Sequence, residues 1–319
     1  MEEIENKGIK LEKPLVSIIV ITYNSSRYVL ETLESAKAQT YKNIELIITD
    51  DCSTDDTVEV CKVWLKENDL DFVRTKLITV EKNTGIPSNC NRGINGVKGE
   101  WIKIIAGDDS LKKNAIQLYL DYISLNPDTK FLHAKMQVYE DEILIENEVS
   151  YYNYENYLFN QKSITPQKQF QILLRINPLC TPTSFIKRNL FLKYGHFNEN
   201  FRLWEDRPMW LNLTKNGVQL LYLNAITVNY RKSVNSIQSK KNNLKIFSEF
   251  EILIDGYMMN FSKHFGVFEK TIRMLDYKRK FYLDKIGLNK IAFFPRVINF
   301  ISGYFIVRYI KYVNNKYTL

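Results

Sequence analysis

Short apolar runs alternate with amphipathic segments along the first 125 residues of the chain. The β-branched runs at 16–21, 44–49 and 101–105 are typical of strands that are buried on both faces of a parallel sheet. A shorter strand is predicted at 77–80, and a helix is predicted around 114–125. This alternation of strands and helices predicts an open α/β sheet with parallel strands.

Helix-start signals follow three of these predicted strands. Ser25 or Ser26 is placed to cap the helix after the first strand. Asp55 or Asp56 is placed in the same way after the second strand. Pro87 suits the first turn of a third helix, where a missing N–H costs nothing.

The pattern changes after residue 131, where the strict alternation ends. The predicted strands there are 131–139, 142–148, 183–187 and 218–230, and the predicted helices are 167–175 and 205–215. From about Asn243 the chain is predicted to be helical.

Polar or acidic side chains follow three of the strands in the first half. They are Thr22, Tyr23, Asn24, Asp50, Asp51, Asp108 and Asp109. Ligands of open α/β sheets bind beyond the carboxyl ends of the strands. Three such strand ends therefore predict one binding site rather than three unrelated turns.

Each acidic pair has both a chemical and a purely structural interpretation. Asp108–Asp109 can hold Mg²⁺ or Mn²⁺, which need few protein carboxylates, or it can form a turn before a helix. Asp50–Asp51 can accept a hydrogen bond from a nucleobase N–H, or it can cap a helix. Thr22–Tyr23–Asn24 supplies a hydroxyl, a stacking ring and an amide, or it is simply a turn.

Two asparagine-containing segments are rich in backbone donors. They begin at Asn83 and Asn91. Neither contains GxGxxG or GxxxxGK[ST], so the sequence supports no dinucleotide fold and no P-loop kinase.

Glu205 and Asp206 begin a later apolar helix, where acids serve as caps or as a general base.

Charge divides the 319-residue chain in two. Residues 231–319 contain 17 Lys/Arg and 6 Asp/Glu, a net charge of +11. The whole chain carries +8, so residues 1–230 carry a net charge of −3. The basic part is either a solvated helical face or a surface that attracts lipid headgroups or a phosphate-bearing acceptor. No basic–aromatic array predicts nucleic-acid binding.

The cysteine pattern and the N-terminus predict a cytoplasmic protein. The four cysteines have neither zinc-ligand nor disulfide-framework spacing, which fits a reducing compartment. The polar N-terminus has no signal-peptide pattern, and no uncharged apolar run reaches the roughly 18 residues of a spanning helix. The apolar stretch 291–313 either lies on the inner face of the cytoplasmic membrane or packs on the catalytic domain or a second subunit.

Three segments, taken in order, resemble the family 2 glycosyltransferases of bacterial surface-polysaccharide synthesis. They are PLVSIIVITYNSSRYVLETLESAKAQTYKNIELIITDDCSTDDT, NTGIPSNCNRGINGVKGEWIKIIAGDDSL and WEDRPMWLNLTKNG. The resemblance implies a GT-A fold: a Rossmann-like, mostly parallel central sheet flanked by helices, with a C-terminal helical extension. It implies a tail at 1–13, a catalytic domain at 14–235 and an extension at 236–319, the catalytic domain dividing into a nucleotide-binding half (14–110) and an acceptor-binding half (111–235).

The resemblance also implies roles for individual residues. The implied donor-nucleotide contacts are Thr22, Tyr23, Asn24, Asp51, Asn83, Asn91, Asp108 and Arg231. Asp109 would hold Mn²⁺ or Mg²⁺. Asp206 would be the general base of an inverting transfer, with Glu205 as the second choice. The implied partners are a nucleotide-sugar, with a slight preference for UDP, and a glycan or lipid-linked glycan acceptor.

The chain departs from the family pattern at three places. Ala106–Gly107–Asp108–Asp109 stands where Asp-x-Asp-Asp is common, and Cys90 where Arg is frequent. The family's Tyr-Arg-x-His is here Tyr-Arg-Lys-Ser at 230–233, so Arg231 and Lys232 are expected to contact the diphosphate. Two other functions stay open: a nucleotide-binding regulatory module without catalysis, and a metal-dependent nucleotidyltransferase.

Overall fold

A computed structural model describes residues 13–141, 143, 148–151, 158–179, 181–232 and 244–285. The predicted N-terminal tail up to residue 12, Cys180 and the apolar stretch 291–313 lie outside the described residues. The predicted domain boundaries stay predictions.

The described strands form one sheet. They are β1 Val16–Thr22, β2 Ile44–Asp50, β3 Arg74–Ile78, β4 Trp101–Ala106, β5 Ser110–Leu111, β6 Phe131–Glu140, β7 Glu148–Tyr151, β8 Ser184–Lys187 and β9 Leu221–Lys232. Their order is β3-β2-β1-β4-β8-β6-β9-β5, with β7 paired to β6. Strands β1 to β4 are mutually parallel, as predicted.

Beyond β4 the sheet becomes mixed. Strand β8 is antiparallel to β4 and β6, whereas β9 is parallel to β6. The two-residue strand β5 continues from the end of β4 and pairs with the end of β9. This pairing carries the polypeptide after β4 back onto the sheet, so the acidic turn between β4 and β5 is held from two sides.

The described helices cover both faces of the sheet. They are α1 Val29–Lys37, α2 Thr57–Asn68, α3 Ile86–Gly96, α4 Ala115–Leu125, α5 Pro166–Leu173, α6 Asn189–Tyr194, α7 Asp206–Lys215, α8 Leu244–Met259 and α9 Val267–Lys285. One buried cluster joins α3, α5 and α7 to one face, and the other joins α1, α2 and α4 to the opposite face. Buried aliphatic strands between two apolar layers account for the continuous β-branched runs.

Some sequence predictions need correction. Helix α1 begins at Val29, and its first turn is closed by the Ser25 carbonyl rather than by a serine side chain. Strand β3 lies at Arg74–Ile78, before the predicted 77–80, where its backbone pairs with Glu45–Thr49 of β2. The predicted strand 142–148 lies mostly outside the described residues; β7, at Glu148–Tyr151, pairs antiparallel with β6.

Candidate active site

The loops after β1 and β2 are hydrogen-bonded into one unit. The Thr22 hydroxyl donates to Asp50 at 2.8 Å, and Asp50 also accepts from the Ser53 backbone N–H at 2.8 Å. The Asn24 N–H donates to the Ser53 hydroxyl at 2.8 Å, and the Asn24 amide oxygen accepts from the Thr54 N–H at 2.8 Å. Asn24 has a φ of 51°, which asparagine tolerates better than most residues. Thr22 and Asn24 thus shape the loop, and Tyr23 between them is 49% exposed.

The Asp51 carboxylate holds the loop before α3. It accepts hydrogen bonds from the N–H of Thr84 at 3.0 Å, the Thr84 hydroxyl at 2.7 Å, the Gly85 N–H at 2.7 Å and the Arg92 guanidinium at 2.6 Å. Burial by itself would raise the pKa of Asp51, but the hydrogen bonds from Thr84, Arg92 and Gly85 outweigh burial and lower the pKa. These donors occupy the carboxylate's usual lone-pair sites. Arg92, which sequence reasoning did not single out, is therefore part of the site's scaffold.

The loop held by Asp51 contacts the segment that leads to Glu205. The Ile86 N–H donates to the Arg202 carbonyl at 2.9 Å, and the Arg202 guanidinium donates to the Asn83 amide oxygen at 2.7 Å. Gly85 has a φ of 97°, and a Cβ there would lie 2.6 Å from the Arg202 carbonyl oxygen. Glycine is thus required for this close approach, which brings the two distant motifs together.

Asn91 faces away from this loop. Its amide donates to the Phe197 carbonyl at 2.9 Å and to Glu199 at 2.8 Å, and its oxygen accepts from the Phe197 N–H at 3.0 Å. The side chain is buried and satisfied within the protein. The contact of Asn91 with the donor nucleotide, which the resemblance implies, stays a prediction. The hydrogen bonds of Asn91 within the protein do not support it.

Asp108 and Asp109 lie where β4 meets β5. One oxygen of Asp109, Oδ1, accepts from the Arg231 N–H at 2.9 Å, and the buried Oδ2 has no partner among the described residues. Burial, and then repulsion from Asp108, place the pKa of Asp109 well above its ordinary value. Burial also raises the pKa of Asp108. This part of the site is thus short of positive charge for two ionised carboxylates.

Arg231 braces the acidic turn from β9. Its Nε donates to the Asp108 carbonyl at 2.9 Å, and its other nitrogens donate to the Asp141 carbonyl and to the Glu31 carboxylate. The guanidinium carbon lies 4.0 Å from the centroid of the Tyr28 ring, a cation–π distance. Arg231 therefore lies beside the acidic turn, and its implied contact with the diphosphate stays a prediction.

Glu205 and Asp206 lie at the N-terminus of α7 and are partly buried. Glu205 accepts from the Thr181 hydroxyl at 2.8 Å, and Asp206 accepts from the Asn177 amide at 2.6 Å. Burial, and then the Asp206 charge, raise the pKa of Glu205 to about 7. Burial raises the pKa of Asp206 as well, so the pair holds protons more tightly than ordinary carboxyls.

Strand register brings the first three clusters to one edge of the sheet. Thr22 is paired with Asp50, and Ile21 with Ala106, so β1, β2 and β4 end side by side. The Asp51 N–H donates to the Thr22 carbonyl at 3.0 Å, and the Gly107 N–H donates to the Ile21 carbonyl at 2.9 Å. The Arg202–Gly85 contact adds the Glu205–Asp206 segment to this edge. Thr181 and Asn177, which support the acidic pair, carried no sequence signal because only the tertiary fold brings them to it.

A family model described as Glycosyl transferase family 2 matches residues 17–195. The chain belongs to this family. The match includes the strand ends that carry Tyr23, Asp51 and Asp109, and it stops before Glu205–Asp206. The predicted activity class is confirmed: the protein is a glycosyltransferase.

Glycosyltransferases of several bacteria are similar to the chain. Glycosyltransferase GlyG of Streptococcus pneumoniae serotype 4 is 27% identical over 240 residues, which are 70% of this chain and 72% of GlyG. The Escherichia coli UDP-Glc:alpha-D-GlcNAc-diphosphoundecaprenol beta-1,3-glucosyltransferase WfaP is 26% identical over 238 residues, 71% of this chain and 81% of WfaP. The crystal structure of the 1–349 fragment of Staphylococcus aureus TarS with UDP-GlcNAc superposes with a TM-score of 0.59 at 20% identity. That match covers 83% of this chain and 72% of the TarS chain, and it confirms the GT-A fold of this glycosyltransferase.

A membrane-spanning helix is absent from the described part of this glycosyltransferase. Cys52, Cys61 and Cys90 are free thiols.

Proposed function

We propose that this glycosyltransferase transfers a sugar from a UDP-sugar to a hydroxyl of a cell-surface glycan by a single inverting displacement. The observation that carries the proposal is the buried Oδ2 of Asp109, which has no partner within the described part of the chain and lies beside Asp108, at the sheet edge that also bears Tyr23. A carboxylate left in this state calls for a cationic ligand. A nucleoside diphosphate bound with a divalent cation supplies the cation for Asp109 and a base that stacks on the Tyr23 ring.

The preference for UDP rests on two similar proteins. WfaP is named for UDP-Glc, and the TarS fragment was solved with UDP-GlcNAc. The Asp51 carboxylate adds little to this preference, because its oxygens already accept from Thr84, Gly85 and Arg92. In this proposal Tyr23 stacks on the base, and Asp51 shapes the loop beside it.

The acidic pair after β4 fits one Mn²⁺ or Mg²⁺ ion. Such ions take one or two carboxylates and complete their shell with water and substrate phosphates. The described residues accordingly contain no group of three or more His, Cys, Asp or Glu in a metal-binding arrangement. Asp109 and Asp108 would hold the ion, which when bound supplies positive charge to the leaving diphosphate.

The Glu205–Asp206 pair is proposed as the source of the general base. Asp206 takes the proton of the acceptor hydroxyl while that oxygen forms its bond to the anomeric carbon. The bond from this carbon to the diphosphate oxygen breaks, and UDP leaves with the electron pair. A raised pKa suits this role, because a base works best when its pKa lies near the working pH. Glu205, with its pKa raised to about 7, sets the electrostatic environment of Asp206.

The acceptor is proposed to be a glycan on a lipid carrier. WfaP is named for a diphosphoundecaprenol-linked acceptor, and residues 231–319 of this chain carry a net charge of +11. A basic segment attracts an anionic diphosphate or lipid surface. A cytoplasmic location at the inner face of the membrane, as the sequence predicts, belongs to the same proposal.

A panel of nucleotide-sugars with Mn²⁺ tests the donor and the activity class together. Thermal shift identifies the donor that binds, and product analysis follows with that donor. Release of UDP with a β-linked product supports the proposal, whereas release of a sugar 1-phosphate and a nucleoside triphosphate on addition of pyrophosphate would show a nucleotidyltransferase. Donor binding without any release of UDP, in the presence of varied acceptors and of water alone, would favour the regulatory module.

A further inference from the structure

Helix α9 carries its paired charges on the inside. Glu269 is buried and accepts from Arg175 at 2.7 Å and from Arg273 at 3.0 Å. Asp276 is also buried and accepts from Arg279 at 2.6 Å. These ion pairs connect α9 to the segment just after α5 and join each acid to the following turn of α9. A helix of a water-soluble domain normally has the opposite arrangement, with apolar residues inside and charges outside.

The outer face of α9 is apolar and aromatic. Its large exposed side chains are Val267, Phe268, Leu275, Phe281 and Tyr282, which are between 45% and 86% exposed. At 100° per residue they fall within an arc of about 160° of the helix. Single exposed apolar residues are ordinary, but a continuous exposed face of this kind marks an interaction surface.

Lysines are interleaved with these apolar side chains. Lys270, Lys278 and Lys285 are exposed and fall on the same arc. Among the described side chains of α9, the acidic ones, Glu269 and Asp276, are buried on the opposite side. We call the outward residues 267, 268, 270, 275, 278, 281, 282 and 285 the lysine–aromatic face.

The chemistry of this face selects one class of partner. Aromatic and aliphatic side chains enter the boundary between headgroups and acyl chains, and lysines pair with anionic headgroups. The following residues, 286–319, have the same composition, with five Lys/Arg, no Asp/Glu and eight Phe/Tyr. A stretch with five basic and no acidic residues favours an anionic lipid surface over a protein surface of mixed charge.

We infer that the lysine–aromatic face of α9 binds the surface of anionic lipid membranes. The helix lies parallel to the membrane, with Leu275 and Phe281 among its inserted side chains and Lys270 and Lys278 at the headgroups. The inference rests on α9 and on the composition of residues 286–319, and it is independent of the donor and the metal proposed above. Binding through α9 would hold the enzyme at the membrane surface, where it would meet a lipid-linked acceptor by diffusion in two dimensions.

Vesicle co-sedimentation of the full chain tests the inference. The vesicles are phosphatidylcholine alone or phosphatidylcholine with about one third phosphatidylglycerol, and no substrate is added. Binding to the anionic vesicles is expected to exceed binding to neutral ones and to fall with added salt. The double variant Lys270→Gln/Lys278→Gln should weaken binding about 25-fold, since each lysine near an anionic surface contributes about 1 kcal/mol. The variant Leu275→Ser/Phe281→Ser should weaken binding to both kinds of vesicle.

Matched controls use exposed residues elsewhere. Leu125 is 83% exposed, and Lys62 is exposed on α2. The variant Leu125→Ser/Lys62→Gln should bind vesicles like the wild type, and all variants should keep the wild-type circular-dichroism melt. Unchanged vesicle binding of both α9 variants, or no vesicle binding by the wild type, would overturn the inference. A wild-type dimer in sedimentation velocity that the α9 variants dissociate would instead assign the face to a second copy of the chain.

Discussion

The backbone N–H of Arg231 donates to Oδ1 of Asp109 at 2.9 Å, while Oδ2 of Asp109 is buried without a partner among the described residues. One oxygen therefore fixes the orientation of the carboxylate, and the other is the one that the proposed cation would contact. Because β9 supplies the N–H and the β4–β5 turn supplies the acid, the proposed cation site depends on the pairing of β5 with β9.

Asp109→Asn should stabilise the metal-free protein and abolish its response to Mn²⁺. Burial and Asp108 raise the pKa of Asp109 above its unfolded value, so its contribution to stability is present at low pH and is lost as the pH rises through the folded-state pKa. Asparagine removes that cost at pH 8 and keeps an oxygen for the Arg231 N–H. Thermal unfolding at pH 8 with and without Mn²⁺ measures both effects, with Asp69→Asn on the exposed end of α2 as the control. An equal Mn²⁺ shift in the Asp109 variant would remove this carboxylate from the cation site.

Tyr23→Ala should weaken UDP binding without changing stability. The ring is half-exposed, so little packing is lost, whereas stacking of a base on an aromatic ring contributes about 1–3 kcal/mol. Isothermal titration with UDP and Mn²⁺ should show about a tenfold loss of affinity. Tyr282→Ala, which removes an exposed tyrosine of α9, should leave the affinity unchanged. Wild-type affinity of the Tyr23 variant would exclude the ring from the base-binding site.

Asp51→Asn should lower stability as well as donor affinity. The carboxylate is buried and accepts from Arg92, Thr84 and Gly85, and hydrogen bonds to a charged group contribute about 1.5–3 kcal/mol. Urea unfolding should show a loss of this size, and the neighbouring exposed Asp56→Asn should show none. Lost UDP affinity with unchanged unfolding would mean that Asp51 contacts the nucleobase itself, as the family resemblance implies.

The sequence was sufficient for the strand ends and insufficient for the contacts between distant segments. Continuous β-branched runs predicted β1, β2 and β4, and parallel pairing then placed Tyr23, Asp51 and Asp109 at one edge. The role of Asp51 was not accessible, since its partners Thr84 and Arg92 approach only after α3 packs on the sheet. Strand β5 was missed because two residues carry no periodicity.

Substitutions of Glu205 and Asp206 should have different effects on the kinetics. Asp206→Asn should lower kcat by about 10²–10⁴-fold, the usual contribution of a general base, and retain donor binding. In the wild type, kcat should fall as the pH drops and the Glu205–Asp206 pair takes up protons, because a protonated Asp206 cannot act as the base. Glu205→Gln should move this fall in kcat to lower pH, because it removes the negative charge beside Asp206.

A stability measurement checks the same pair independently. The folded-state pKa of Glu205, about 7, lies above its unfolded value, so ionisation of Glu205 weakens the fold as the pH rises from about 4.5 to 7. Glu205→Gln should thus unfold at a higher temperature than the wild type at pH 8 and not at pH 4. Wild-type turnover in Asp206→Asn would transfer the base role to Glu205 or to another group.

Tyr257 of α8 should influence turnover from outside the site. Its ring packs edge-on against Phe201 at 5.1 Å and Trp204 at 6.1 Å between centroids, directly before Glu205. Tyr257→Ala removes this support and should lower both kcat and the unfolding temperature, while UDP affinity, which depends on the β1 and β2 loops, stays unchanged. Tyr257→Phe keeps the ring and should behave like the wild type. If Tyr257→Ala lowered only stability and left kcat intact, the C-terminal helices would have no part in positioning the acidic pair.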